Sequence, residues 1–186
     1  NKKELRKLKK YEDYSLYKYK FNSKKLSTDL ALIIPTSGST GSSKFVMLSY
    51  KNLHSNTNSI TKYLKLTKLD QSIFSLPFNY SYGLSILNTH ISKGASLILE
   101  NSSPTQKEFW DTFKKHKKIT NFSSVPLVFE FIKKFKIDIF NFKNLKFCTV
   151  AGGHLGIENQ KFFHKQFLRK KIRFYIMYGQ TEASPR

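Results

Sequence analysis

The chain has 186 residues, of which 39% are hydrophobic and 15% aromatic, and carries a net charge of +21. Those proportions exclude a wholly disordered chain, and the length allows one domain or part of a larger one. No apolar run reaches the ~18 residues of a membrane helix, no signal-peptide stretch opens the chain, and one cysteine, Cys148, excludes an internal disulfide and a cysteine-rich zinc knuckle, so a reduced, cytoplasmic protein is expected.

Residues 1–29 are polar and basic, with Tyr11, Tyr14, Tyr17 and Tyr19 interleaved. They read as an N-terminal segment distinct from residues 30–186. A Lys/Tyr stretch can grip single-stranded nucleic acid by stacking. The make-up of the charge argues against that partner: of 33 basic residues, 29 are Lys and 4 are Arg. Arg is the preferred residue for base edges and bidentate phosphate contacts. Lys, Phe, Tyr, Asn and Ile all have A/T-rich codons, so the excess reads as base composition acting on a tolerant surface. A basic nucleic-acid-binding module is retained only as an alternative.

From residue 30, short apolar runs alternate with amphipathic stretches. The run at 30–34 predicts a strand buried on both faces. Residues 45–48 predict a second strand, and Ser49 caps a helix over about 50–64 with Leu53, Ile60 and Leu64 on one face. A strand over 73–76, a helix over about 83–92 and a strand over 95–99 follow. Ser103, Pro104 and Gln106 read as a capping box opening a helix that carries Phe109 and Phe113. Ser124 and Pro126 open another helix, with Val128, Phe131, Ile132 and Phe135 apolar. A strand over 145–150, a helix over about 156–169 and a strand over 172–177 complete the pattern. Strands and helices alternating in this way predict an α/β fold with a mostly parallel sheet and flanking helices.

Three loops could carry chemistry. The first is Thr36, Ser37, Gly38, Ser39, Thr40, Gly41, Ser42, Ser43 and Lys44. Glycines let several N–H groups converge on an anion, the hydroxyls add donors, and Lys44 adds a mobile charge, which suits a polyphosphate. It is not a Walker loop, because Lys44 precedes a strand rather than opening a helix. A flexible Ser/Gly turn has the same composition, and both readings stay open on these residues alone. The second loop is Ala151, Gly152, Gly153, His154 and Leu155, directly after a strand, where ligands of parallel sheets gather. A tight strand-to-helix turn with His154 on its rim is the alternative. The third is Tyr178, Gly179, Gln180, Thr181 and Glu182. A carboxylate beside a phosphate site acts mainly through a bridging divalent cation; otherwise this is an exposed turn. No Gly-x-Ser-x-Gly elbow and no paired metal-ligand histidine spacing occur. Cys148, in an apolar strand, reads as a small core residue.

Taken together and in this order, the loops resemble those of the adenylate-forming (AMP-binding) superfamily of acyl-CoA synthetases, nonribosomal peptide synthetase adenylation domains and luciferases. Residues 36–44 resemble its phosphate loop, with Ser43 where Pro is usual and Phe45 where Gly is frequent. Residues 76–84 resemble a segment beside the acyl pocket, with Tyr80 where a His gate is common. Residues 152–155 resemble the adenine-facing loop, with His154 where Pro is usual, and residues 178–182 resemble the family signature.

The resemblance implies an acid–thiol ligase that uses ATP, Mg2+ and coenzyme A, or a phosphopantetheinyl carrier protein, with a small-molecule carboxylic acid as substrate and no nucleic acid. It implies catalytic roles for Lys44, Thr181 and Glu182. ATP would be bound by Thr36, Ser37, Gly38, Ser39, Thr40, Gly41, Lys44, Gly152, Gly153, His154, Tyr178, Gly179, Gln180 and Thr181. Tyr80, Tyr82 and Gly83 would shape the acyl end, and Glu182, with Thr36, would hold the metal. An adenylation module serving a carrier protein is the nearer alternative. The resemblance also leads us to expect residues 30–186 to be a partial adenylation domain, lacking the family's ribose-binding Asp, hinge and C-terminal lysine, and inactive alone.

Overall fold

The structure is a computed structural model and describes residues 5–11, 14–19, 27–36 and 44–183. Strands β1 (Leu5–Tyr11) and β2 (Tyr14–Tyr19) pair as an antiparallel hairpin, with Leu5 opposite Tyr19. A second antiparallel hairpin joins β3 (Leu30–Pro35) to β4 (Phe45–Ser49). The remaining strands form one parallel sheet in the order β6-β5-β7-β8-β9: β5 (Gln71–Phe74), β6 (Ser96–Leu99), β7 (Asn121–Ser124), β8 (Phe147–Val150) and β9 (Arg173–Ile176).

Helices α1 (Tyr50–Leu64), α2 (Ser81–Ser92), α3 (Lys107–Lys115), α4 (Pro126–Lys134) and α5 (Ile157–Arg169) flank this sheet. Successive strand residues face opposite ways, and the packing follows that alternation. Ile73, Phe122, Cys148 and Phe174 join the core under α3, α4 and α5. Phe74 packs with Tyr82 and Ile86 of α2, and Phe147 with Ile60 and Leu64 of α1. Two layers of helices therefore sandwich the sheet.

Ser49 caps α1 as expected, through a reciprocal box: the Asn52 N–H donates to Ser49 Oγ at 3.1 Å and the Ser49 N–H to Asn52 Oδ1 at 3.0 Å. The box expected at Ser103 and Gln106 forms only in half. The Ser103 N–H donates to Gln106 Oε1, but Ser103 Oγ is taken by Thr105, and the Gln106 N–H goes to the Ser103 carbonyl. The segment is a turn, and α3 begins after it at Lys107. Two further expectations are corrected. The run at 30–34 is not a strand buried on both faces: it pairs antiparallel at a hairpin, where Ile34 is buried and Ile33 is 44% exposed. The central strand β7 was not expected at all, because Asn-Phe-Ser-Ser is neither an apolar run nor a polar–apolar alternation.

Candidate functional site

Because β5–β9 are parallel, the segments leaving β5, β7, β8 and β9 all emerge from one edge of the sheet. The 75–80 segment leads into α2, Val125 into α4, the 151–156 loop into α5, and residues 177–180 into a 3₁₀ turn at Thr181–Ala183. The second and third loops noted in the sequence thus emerge at one edge of the sheet, whereas the first lies between β3 and β4 of the separate hairpin.

Specific contacts link these segments. The Thr181 hydroxyl lies 3.4 Å from Ser81 Oγ, joining the segment after β9 to the first residue of α2. The 3₁₀ turn at 181–183 packs against β4. Gly152 has φ +85°, and a Cβ there would overlap the Tyr80 hydroxyl, so the Tyr80 ring lies directly over the backbone of the second loop. A Cβ on Gly153 would meet Pro126 Cγ at 3.4 Å, setting that loop against the start of α4. At the first loop, the Thr36 N–H donates to the Lys44 carbonyl at 2.9 Å and closes its neck. Below that neck, Ile34 and Leu48 close onto Leu53 of α1 and Leu84 of α2 around a void of only ≈10 Å³. The hairpin, α2 and the segments after β8 and β9 therefore form a connected set.

Within that set the expected residues separate into two groups. Lys44, Gly152, Gly153, His154, Tyr178, Gly179, Gln180 and Glu182 are exposed, and Thr36, Tyr80 and Thr181 are half-buried. Tyr82 and Gly83 are buried instead. The Tyr82 hydroxyl bonds the Thr149 carbonyl at 3.1 Å and Thr149 Oγ1 at 2.7 Å. Gly83 lies against the Pro77 carbonyl, which leaves no room for a side chain. Both support the segment that carries Tyr80 from beneath. Ser37, Gly38, Ser39, Thr40, Gly41, Ser42 and Ser43 lie outside the described residues.

Burial pushes the Tyr80 phenol above its ordinary value, so the hydroxyl stays neutral across physiological pH. Burial likewise raises the Cys148 thiol, which sits at 0% exposure in β8 and is inert. Glu182 offers an exposed carboxylate with no ion-pair partner among the described residues, next to Thr181 in sequence. Hard oxygen donors of this kind fit magnesium, which is typically bound by one or two carboxylates together with phosphate oxygens and water. No group of three or more His, Cys, Asp or Glu side chains that could hold a metal ion occurs among the described residues.

Sequence reasoning missed Ser81, Val125 and Thr149. Ser81 stands inside the quoted 76–84 segment, but nothing in its neighbours marks a serine that meets a residue 100 positions later. Val125 and Thr149 follow from β7 and β8 lying side by side, a pairing set by tertiary structure.

The family profile described as AMP-binding enzyme matches residues 2–186. An oxalate–CoA ligase from Saccharomyces cerevisiae is 36% identical over 104 residues, covering 55% of this chain and 19% of its own length. A probable 4-coumarate–CoA ligase 3 from Dictyostelium discoideum is 32% identical over 166 residues, covering 86% of this chain and 29% of its own. The chain thus spans less than a third of the length of these curated relatives. Among solved structures, a long-chain-fatty-acid-CoA ligase from Archaeoglobus fulgidus superposes with a TM-score of 0.71 at 21% identity, over 85% of this chain and 33% of that one. An o-succinylbenzoate coenzyme A synthetase from Bacillus subtilis, in complex with ATP and magnesium ion, gives 0.68 at 21% identity, over 83% and 31%. At such identities the superpositions establish a shared fold. No described helix is long and apolar enough to cross a membrane.

Proposed function

Since this chain belongs to the AMP-binding enzyme family, we propose that it supplies the nucleotide- and acid-handling part of an ATP-dependent acid–thiol ligase of the acyl-CoA synthetase type. In the first half-reaction a substrate carboxylate oxygen attacks the α-phosphorus of ATP. The bond to the bridging oxygen breaks, and pyrophosphate leaves an acyl-adenylate. In the second, a thiol attacks the acyl carbon and AMP leaves, giving the thioester.

The chemical difficulty is repulsion between a carboxylate and a polyanionic nucleotide, and catalysis rests on placing positive charge and N–H donors where charge moves. Lys44, Thr36 and the 37–41 backbone would meet the β- and γ-phosphates. Thr181, held by Ser81 beside α2, would donate to the α-phosphate. Gly152, Gly153 and His154 would form one wall of the adenine site and Tyr178, 85% exposed, would stack on the base with Gly179 and Gln180 shaping its approach. Tyr80, a neutral phenol over Gly152, would border the acid without adding negative charge. Tyr82 and Gly83 would act one layer down by fixing that ring. Glu182 would hold magnesium, with Thr36 as a second oxygen donor. When bound, magnesium neutralises phosphate charge and orients the leaving pyrophosphate.

The observation that carries this reading is the linkage of the segments after β5, β8 and β9 through Tyr80–Gly152 and Thr181–Ser81, with the hairpin that bears Thr36 and Lys44 meeting the 3₁₀ turn through β4. The test is carboxylate-dependent ATP–pyrophosphate exchange by the protein containing this chain, across a panel of aryl, short-chain and long-chain acids. Exchange with at least one acid is expected. An exchange rate equal to the no-acid control with every member of the panel would overturn the proposal. The relatives named above as CoA ligases favour coenzyme A as the thiol. Thioester formed on a carrier protein but not on free coenzyme A would reassign the chain to an adenylation module.

A further inference from the structure

On the face of the sheet opposite α2, a cleft of ≈510 Å³ lies between α3 and α4, with Lys136, Ile137, Asp138 and Phe142 also lining it. Its volume is in the ~300–1,000 Å³ range of small-molecule sites. Its floor is apolar and mostly aromatic: Trp110, Phe131, Phe135, Ile137 and Phe142. Phe135 is 57% exposed there, with its ring 4.4 Å from that of Phe131. The cleft belongs to none of the loops assigned above.

The rim sets the charge of the occupant. Lys107, Lys114 and Lys136 border the cleft and form no ion pair among the described residues. Two carboxylates face them, Asp111 and Asp138, the latter also accepting from Asn141 Nδ2 at 2.6 Å. Three cations against two anions leave one positive charge to match. A polyphosphate would meet repulsion from Asp111 and Asp138, and a cation from the lysines. We propose that this cleft binds a small amphipathic monoanion, with an alkyl or aromatic body on the Phe/Trp floor and a single anionic head among the lysines.

Trp110 is the only tryptophan in the chain and lines the cleft, so its emission reports occupancy directly. The probe is decanesulfonate below its micelle concentration; a sulfonate cannot be activated as an acyl-adenylate, which keeps this test independent of the proposed ligase activity. A saturable change in Trp110 emission is expected, unaffected by ATP and magnesium. Lys114→Glu and Phe135→Ser, both at exposed positions, should each weaken Kd by about tenfold, with unchanged circular dichroism showing that they fold. Lys114→Ala, the milder variant, should weaken it less, in the same direction. The proposal is overturned by the absence of a saturable signal, by equal affinity in all variants, by displacement with ATP and magnesium, or by equal binding of uncharged decanol.

Discussion

The two faces of the parallel sheet are built from different materials. Under α3, α4 and α5 the core is dry and aromatic: Phe109, Phe113, Phe122, Phe129, Phe163 and Phe167 are all at most 1% exposed, with ring centroids 5.2 Å apart for Phe129 and Phe163 and 4.9 Å for Phe140 and Phe167. Under α2 the sheet presents Ser72, Asn121, Ser123 and Thr149, all buried. There a hydroxyl ladder runs from Tyr82 through Thr149 Oγ1 to Ser123 Oγ, with steps of 2.7 and 2.8 Å. His90 continues the polar layer: its Nδ1 lies 2.8 Å from the Ile86 carbonyl, which can only accept, so Nδ1 donates and Nε2 accepts from Asn121 Nδ2 at 3.3 Å. Non-directional burial stabilises, whereas hydrogen bonds fix position. The helix that must hold Tyr80 and Ser81 in register lies on the face that fixes position.

That contrast breaks most visibly at Phe163. Phe163→Ala removes a fully buried ring from the dry face and is expected to lower unfolding free energy by about 3–5 kcal/mol, read from the denaturant midpoint. A loss under 1 kcal/mol would mean the aromatic face is not the main source of stability.

A smaller effect is expected at Asp70, 2% exposed at the opposite edge of the sheet from the candidate site. Burial alone would push its carboxyl up, but the Lys146 ammonium at 2.9 Å and the Thr67 N–H and hydroxyl outweigh it, and the net direction is down. A carboxyl depressed on folding stabilises above its unfolded value, ~3.9, and that contribution is lost as pH falls through its lower folded value. Lys146→Met should cost about 2 kcal/mol at neutral pH and move the onset of acid unfolding to higher pH, since burial then meets less opposition. An unchanged acid limb would remove the ion pair from the account. Tyr82→Phe, which keeps the ring and deletes the ladder's first hydroxyl, should cost about 1–2 kcal/mol and weaken nucleotide binding by more than an equally destabilising variant on the Phe face. Equal binding losses from the two faces would erase the distinction drawn between them.

The same contrast explains what the sequence could disclose. The apolar periodicity of α1 and α5 and the Ser49 cap mark those helices because their signals are local. The glycine and hydroxyl loops are legible for the same reason, since Gly152 declares its backbone demand in its own identity. The central strand β7 is illegible: Asn121 and Ser123 are buried polar residues, and only their partners on other elements make that burial tolerable. Ile33 misleads in the opposite way, because an apolar run does not say whether a neighbour covers both faces. Tyr82, read beside Tyr80 as part of the acyl end, points at Thr149, 67 positions away.

Ser124 is the exception on the dry face: its Oγ is buried without a hydrogen-bond partner among the described residues. An unsatisfied hydroxyl is destabilising where it stands, so Ser124→Ala should be neutral or stabilising by up to about 1 kcal/mol. A loss of more than that would mean the hydroxyl has a partner on the Phe face and the face is not dry.

Glu182 gives the smallest expected effect on the fold and the sharpest separation of position from stability. Its carboxylate is exposed, forms no ion pair among the described residues and stands in the middle of a short 3₁₀ turn, so Glu182→Gln should change unfolding free energy by no more than about 0.5 kcal/mol. The amide keeps the shape and one oxygen but loses the charge that a divalent cation requires. In the intact ligase, carboxylate-dependent pyrophosphate exchange should therefore fall, and its half-saturating magnesium concentration should rise, while thermal unfolding is unmoved. Unchanged magnesium dependence would leave Glu182 a surface residue. A large loss of stability would mean that the turn, resting on β4 and Ser81, is held by its carboxylate rather than presenting it.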